Sequence, residues 1–150
     1  MLEFKIGIIP KPQFQIIISR RALEANEKRE TKKVLVVDDL LYVVKFISSI
    51  LKKEGYSVIT AMSGEEALQR FTRYSPDLIT IDQNLPDMTG FELVLKLRQL
   101  NNGRNVKIIF ISGVYEKDVI ESILDLGISS FLLKPVKRNK LLETVQQLFQ

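Results

Sequence analysis

The chain has 150 residues, 45% of them hydrophobic, with a formal net charge of +4 and neither cysteine nor histidine. The two absences exclude disulfides, thiol nucleophiles, thiolate metal sites and the Ser-His-Asp arrangement, which leaves carboxylates for any chemistry and oxygen ligands for any metal. No apolar run reaches the roughly 18 residues that a membrane span needs and no signal-peptide pattern is present, so a cytoplasmic location is expected.

Residues 1–31 read as an N-terminal extension. Leu2, Phe4, Ile6 and Ile8 alternate with polar or small residues, Pro10 and Pro12 interrupt, and Phe14, Ile16 and Ile18 resume the period of two, which predicts two short strands. From Arg20 to Lys33 charged helix formers take over, which predicts a solvated helical linker. Apolar strands alone in water are marginal, so the extension is expected to dock on the same domain or on a second copy in a homodimer. The charges of Arg20, Arg21, Glu24, Glu27, Lys28, Arg29 and Glu30 are mixed. They suit a solvated helix better than a stripe that grips nucleic acid, and nucleic-acid binding is kept only as an alternative.

Residues 32–150 form the expected domain, about 120 residues around one core. Val34–Val37 is a continuously apolar strand ending in Asp38-Asp39, followed by a helix to about Glu54 and a stop at Gly55. Tyr56–Ala61 is a second strand, and Ser63-Gly64-Glu65-Glu66 is a capping box that opens a helix to about Tyr74. Leu78-Ile79-Thr80-Ile81 is a third strand that delivers Asp82, before the turn residues Asn84, Pro86, Asp87 and Gly90. Thr89-Gly90-Phe91-Glu92 repeats the capping box and starts a helix with Phe91, Val94, Leu95 and Leu97 on its inner face, ending at Asn101-Asn102-Gly103. Val106–Ile111 is a fourth strand closing on Ser112-Gly113, and Glu116 to about Leu126 is a helix ended by Gly127. Phe131–Leu133 leads into Lys134-Pro135, and the last helix turns Leu141, Leu142, Val145, Leu148 and Phe149 inward. Five strands alternating with helices predict an α/β doubly wound parallel sheet with right-handed crossovers.

In such a sheet ligands bind beyond the carboxyl ends of the strands, where the strand order reverses. Asp38, Asp39, Asp82, Ser112 and Lys134 all stand at such ends. Three carboxylates brought together repel and call for a divalent cation with oxygen ligands, for which Mg2+ is the best fit beside a phosphate. Lys134 can meet one phosphate oxygen and the Ser112 hydroxyl another, while Asp82 can act as a carboxylate nucleophile.

Val36-Val37-Asp38-Asp39, Ile81-Asp82-Gln83-Asn84-Leu85-Pro86-Asp87-Met88-Thr89-Gly90, Ser112-Gly113 and Phe131-Leu132-Leu133-Lys134-Pro135 together resemble the receiver domain of two-component response regulators. The resemblance runs from residue 33 to about 149. It implies a flavodoxin-like receiver fold with strand order 2-1-3-4-5, Asp82 as phosphoacceptor, and Mg2+ on Asp38, Asp39, Asp82 and the backbone carbonyl of Asn84. It also implies Lys134 and Ser112 on the phosphoryl group, Ser112 and Phe131 as the switch pair, and a histidine kinase or phosphotransfer protein as donor. The histidine absent from this chain then belongs to the partner. Output is expected by protein contact through the fourth helix, fifth strand and fifth helix, because no effector domain follows, and no enzymatic turnover beyond self-phosphorylation and self-dephosphorylation at Asp82 is expected. Two positions depart from the pattern: Gly113 stands where Ala is usual, and Lys137, Arg138 and Lys140 crowd the start of the last helix where an acid or hydroxyl is common. The alternative is a degenerate receiver that binds partners without phosphorylation. A haloacid-dehalogenase-type phosphatase would want an acid where Asn84 stands, and a dinucleotide-binding fold would want a Gly-x-Gly-x-x-Gly turn after the first strand.

Overall fold

A computed structural model of the chain describes residues 31–114 and 116–150. The strands and linker expected for the extension therefore lie, but for its last residues, outside the described residues. Lys33, expected to close the linker, instead opens the first strand, with its N–H donating to Asp77 Oδ2 at 2.8 Å.

Lys32–Gln150 make one compact unit. Its strands are β1 (Lys33–Val37), β2 (Ser57–Ala61), β3 (Leu78–Asp82), β4 (Lys107–Ser112) and β5 (Ser130–Leu133). They pair in parallel in the order β2-β1-β3-β4-β5. The helices between and after them are α1 (Leu41–Lys53), α2 (Gly64–Tyr74), α3 (Gly90–Gln99), α4 (Lys117–Leu124) and α5 (Arg138–Leu148). The sheet is covered on both faces, which is why the buried stretches of β1, β3 and β4 are nearly continuous apolar runs, residues 34–37, 78–81 but for Thr80, and 108–111, instead of alternating. Side chains alternate in direction along each strand, and the two sets enter different cores. Val34, Val36, Leu78, Ile109 and Ile111 pack under α1 and α5, against Ile47, Leu51, Leu141 and Val145. Leu35, Val37, Ile79, Ile81, Ile108 and Phe110 pack under α2, α3 and α4, against Phe71, Leu93, Val94, Leu97 and Ile123. Each such side chain, fully buried, contributes about 1.5–3 kcal/mol, so the central strands are rigid supports for whatever their ends carry.

Several boundaries differ from the sequence reading. In α3 the inner face is Leu93, Val94 and Leu97, while Leu95 is exposed and Phe91 is half-buried. The helix starts at Gly90, and that start sets the rotation of the stripe. α4 is shorter than expected, and its carboxyl end passes through a turn to Gly127 at φ +73, where a residue without Cβ is favoured. The Thr89 capping box is complete. At α2 only half of one forms: Ser63 Oγ accepts from the Glu66 N–H at 3.1 Å, but the Glu66 carboxylate accepts from Met62, one residue before Ser63.

Candidate functional site

The strand order reverses between β1 and β3, and Asp38 and Asp82 stand at the carboxyl ends of those two strands. β4 places Ser112 next to them, and β5 runs out into Lys134. Asp38, Asp82 and Ser112 are buried, Lys134 is half-buried and Asp39 is exposed at the mouth.

Lys134 Nζ donates to Asp38 Oδ2 and lies equally close to Asp82 Oδ1, 2.9 Å in each case. The remaining oxygen of each acid takes a backbone N–H from its own loop: Leu40 donates to Asp38 Oδ1 at 2.9 Å and Asn84 to Asp82 Oδ2 at 3.1 Å. These local bonds orient the two carboxylates before anything binds, as Asp side chains do at turns. Ser112 Oγ accepts from the Val114 N–H at 3.2 Å, so its hydroxyl hydrogen is available to an acceptor in the site. Phe131 is half-buried two ladder steps below Ser112, paired with Phe110, its ring stacked on that of Phe110 with centroids 6.1 Å apart and planes 19° apart.

Burial pushes the Asp82 carboxyl above its usual range; the Lys134 hydrogen bond opposes the shift and the Asp38 charge adds to it. For Lys134 burial acts downward, but its bonds to Asp82 and Asp38 outweigh it and the ammonium is held above its ordinary value. One lysine thus balances a site with three acids. Asp38, Asp39 and Asp82 each offer an oxygen within 4.8 Å of the others. This donor set fits a hard divalent cation such as Mg2+, which takes oxygen ligands and would relieve the repulsion that one ammonium leaves.

All the residues singled out in the sequence except Phe131 stand at this end of the sheet, with Phe131 just beneath. Asn84 lies in the loop after β3, bridged to Thr89, and its N–H already supports Asp82.

Two features go beyond the reading of the sequence. Asp87, read only as a turn residue, reaches back to α2, where its two oxygens accept from the Gly64 and Glu65 N–H groups at 2.8 Å each. Those two bonds hold its carboxyl below the usual range. The second is an exposed apolar strip on α1: Leu41, Tyr42 and Phe46 face outward, Tyr42 with 71% of its surface exposed. Tyr42 and Phe46 border a cleft of about 640 Å³ shared with Val43, Lys134, Pro135 and Val136. The signal was present, since apolar residues occupy more of α1 than one buried face needs.

Comparison with known proteins agrees with this geometry. The family model for the response regulator receiver domain matches residues 34–146. The chain is 33% identical over 141 residues to the chemotaxis protein CheY of Treponema pallidum, covering 92% of this chain and 96% of that protein. Among solved structures, chemotaxis protein CheY4 of Vibrio cholerae superposes with a TM-score of 0.76 at 32% identity, over 79% of this chain and 98% of that one. The CheX-CheY-BeF3-Mg+2 complex of Borrelia burgdorferi gives a TM-score of 0.75 at 30% identity, over 79% and 90%. With five parallel strands in the order β2-β1-β3-β4-β5 and an acidic cluster at their carboxyl ends, the chain belongs to the response regulator receiver family.

Proposed function

We propose that residues 32–150 act as a phosphorylation-dependent signalling switch, in which Asp82 accepts a phosphoryl group from the phosphohistidine of a histidine kinase or phosphotransfer protein. The observation that carries this reading is the Asp82 carboxylate itself: buried at the end of the central strand, paired with Lys134, oriented by the Asn84 N–H and within reach of two further acids. An oxygen of Asp82 forms a bond to phosphorus as the donor's N–P bond breaks, and the imidazole nitrogen leaves with the electron pair and takes a proton from water. Lys134 then turns from the carboxylate to an oxygen of the transferred group, and Ser112 donates its hydroxyl to another. Asp38, Asp39, Asp82 and the Asn84 carbonyl would hold Mg2+, which when bound would supply charge to offset the incoming phosphoryl oxygens. That the Borrelia burgdorferi relative is described with BeF3 and Mg+2 supports this choice of metal.

The donor docks on the α1 strip of Leu41, Tyr42 and Phe46, whose cleft opens beside Lys134. Docking there brings a partner's histidine to the mouth of the site and covers an apolar surface that water otherwise wets. Output leaves through α4, β5 and α5, where Leu133 borders a cleft with Lys137 and Lys140 and Leu124 is exposed on α4. The CheX partner of the Borrelia relative supports output by protein contact. The site turns over no substrate beyond its own phosphorylation and hydrolysis, and a cytoplasmic location goes with such a donor.

The test is direct. The protein is incubated with Mg2+ and a small acyl phosphate or phosphoramidate, and the base-labile phosphate is located by mass spectrometry. Label confined to Asp82 and lost in Asp82→Asn is expected; equal labelling of that variant overturns the assignment.

A further inference from the structure

The loop from Gln83 to Thr89 carries the Asn84 carbonyl, yet Asn84 and Thr89 are exposed and β3 ends before them. Something other than burial has to fix that carbonyl. At the near end the Gly90 N–H donates to Gln83 O at 2.8 Å and the Phe91 N–H to Gln83 Oε1 at 3.2 Å, which ties the loop to its own helix. The far side is tied to a different element. Asp87 accepts from the first two N–H groups of α2, and the Met88 side chain lies so close over Gly64 that a Cβ there would collide with its sulfur. The two contacts act together: the bare Gly64 backbone lets Met88 settle, and Met88 sets the loop at the height where one carboxylate meets both amides.

We infer that Asp87, with Met88 on Gly64, is a positioning residue for the metal site: it anchors the Asn84 loop to the amino end of α2 so that the Asn84 carbonyl is preset for the cation. This rests on the Mg2+ site proposed above. A carboxylate suits the anchor because free helix N–H groups and the helix dipole both favour negative charge. The consequence is that α2 enters the energetics of a site it does not touch. A shift of that helix end moves the loop, and loss of the anchor lets the carbonyl wander, which costs metal affinity without removing a ligand.

The experiment titrates Mg2+ into the wild type, Asp87→Ala, Asp87→Asn and Ser63→Ala, following binding by calorimetry, with thermal stability and amide exchange of the metal-free proteins measured alongside. Ser63→Ala is the control, because it removes the other side-chain acceptor at the start of α2 and leaves the loop anchor in place. In Asp87→Ala the dissociation constant for Mg2+ should rise about tenfold, the lower end of what supporting contacts contribute. Amides 83–89 should exchange faster even without metal. Asp87→Asn, which keeps one acceptor oxygen, should fall between, and Ser63→Ala should lose stability with its Mg2+ affinity unchanged. An Asp87→Ala affinity within twofold of the wild type overturns the inference, as does an equal loss in Ser63→Ala. Failure of the wild type itself to bind Mg2+ would instead remove the metal site on which the inference stands.

Discussion

Lys134 Nζ lies 2.9 Å from Asp82 Oδ1, yet the Asp82 carboxyl titrates above its usual range, because burial outweighs the ammonium and Asp38 competes for the same cation. For an acid whose folded pKa is raised, the folded state holds its proton longer than the unfolded chain, so stability is present at low pH and is lost as pH rises through the folded value. Ionised Asp82 is therefore a destabilising charge at neutral pH. Asp82→Asn, which cannot ionise and is nearly the same shape, should melt higher than the wild type at pH 7. The difference should shrink as pH falls toward the ordinary carboxylate range and be smallest below about pH 3.5, where both side chains are neutral. Thermal melts across pH in metal-free buffer check this, and a variant that melts lower at neutral pH contradicts it.

The same repulsion makes the second prediction. A cation that binds only the native cluster stabilises it by mass action, by about 2.7 kcal/mol at 100 times its dissociation constant. Mg2+ should raise the melting temperature of the wild type, and raise it less in Asp39→Ala, which keeps the two buried acids but loses the one at the mouth. A flat titration in both proteins would count against the metal site.

The third concerns α5. Its N-cap is Lys137, without a side-chain cap bond, and its first turn has no acid. Cations there oppose the dipole and leave helix N–H groups unpartnered. Lys137→Asp should raise stability by about 1 kcal/mol, from capping and reversed charge together. If the basic cluster serves output, the same change should weaken partner binding. A destabilised variant that binds as before would defeat both expectations.

The strands and the residues at their ends were legible because burial on both faces writes a strand as an unbroken apolar run, and the run stops where the polar site begins, as at Val37-Asp38 and Ile81-Asp82. The helix starts at Ser63 and Thr89 were legible because capping chemistry is local. What sequence could not give is contact between residues far apart whose types are ordinary where they stand. Asp87 in a turn rich in Pro and Gly signals nothing about α2, 22 positions earlier. Arg98 near the end of α3 looks like a solvated last-turn cation that suits the dipole. The rotation of α3 went astray at Phe91 and Leu95 because apolar residues stand at 91, 93, 94, 95 and 97, and periodicity alone does not choose Leu93 over its neighbours.

Arg98 makes the fourth prediction. Its guanidinium donates to the carbonyls of Leu126, Gly103, Val106 and Gly127 at 2.7 to 3.0 Å, joining the end of α3, the approach to β4 and the turn after α4. Burial lowers its pKa, but an arginine remains charged at any working pH. Arg98→Ala strands several of these carbonyls and should cost about 2 kcal/mol or more in denaturant unfolding. Arg98→Lys should recover under half of that, because a point charge cannot span four acceptors. Full recovery by lysine would show that charge, and not the fork of donors, is what the site uses.

The last prediction is the switch. Ser112, Phe110 and Phe131 lie on one face of the sheet: Ser112 follows Phe110 by two along β4, and Phe131 pairs with Phe110 across to β5. In the present state Ser112 Oγ is engaged by the Val114 N–H at 3.2 Å, and Phe131 is half-buried against Phe110. A phosphoryl oxygen at Asp82 would accept from the Ser112 hydroxyl, whose hydrogen is not used by the Val114 bond, and draw the loop between β4 and α4 toward the site. Space would then open over the Phe110 ring, into which Phe131 can turn without leaving any polar group unpaired. Because the ring already rests on the core, phosphorylation should shift a population instead of creating a new shape. Moving that population from 1:99 to 99:1 takes about 5.5 kcal/mol of preference for the inward state, and a smaller bias should leave a visible mixture. Ser112→Ala should still accept phosphate at Asp82 but lose the response, read as chemical-shift changes along α4 on phosphorylation. Phe131→Ala should lose the response at β5 while Ser112 still moves. A full phosphorylation-dependent shift of α4 in Ser112→Ala would mean that the coupling runs by another route, through Lys134 and the start of α5.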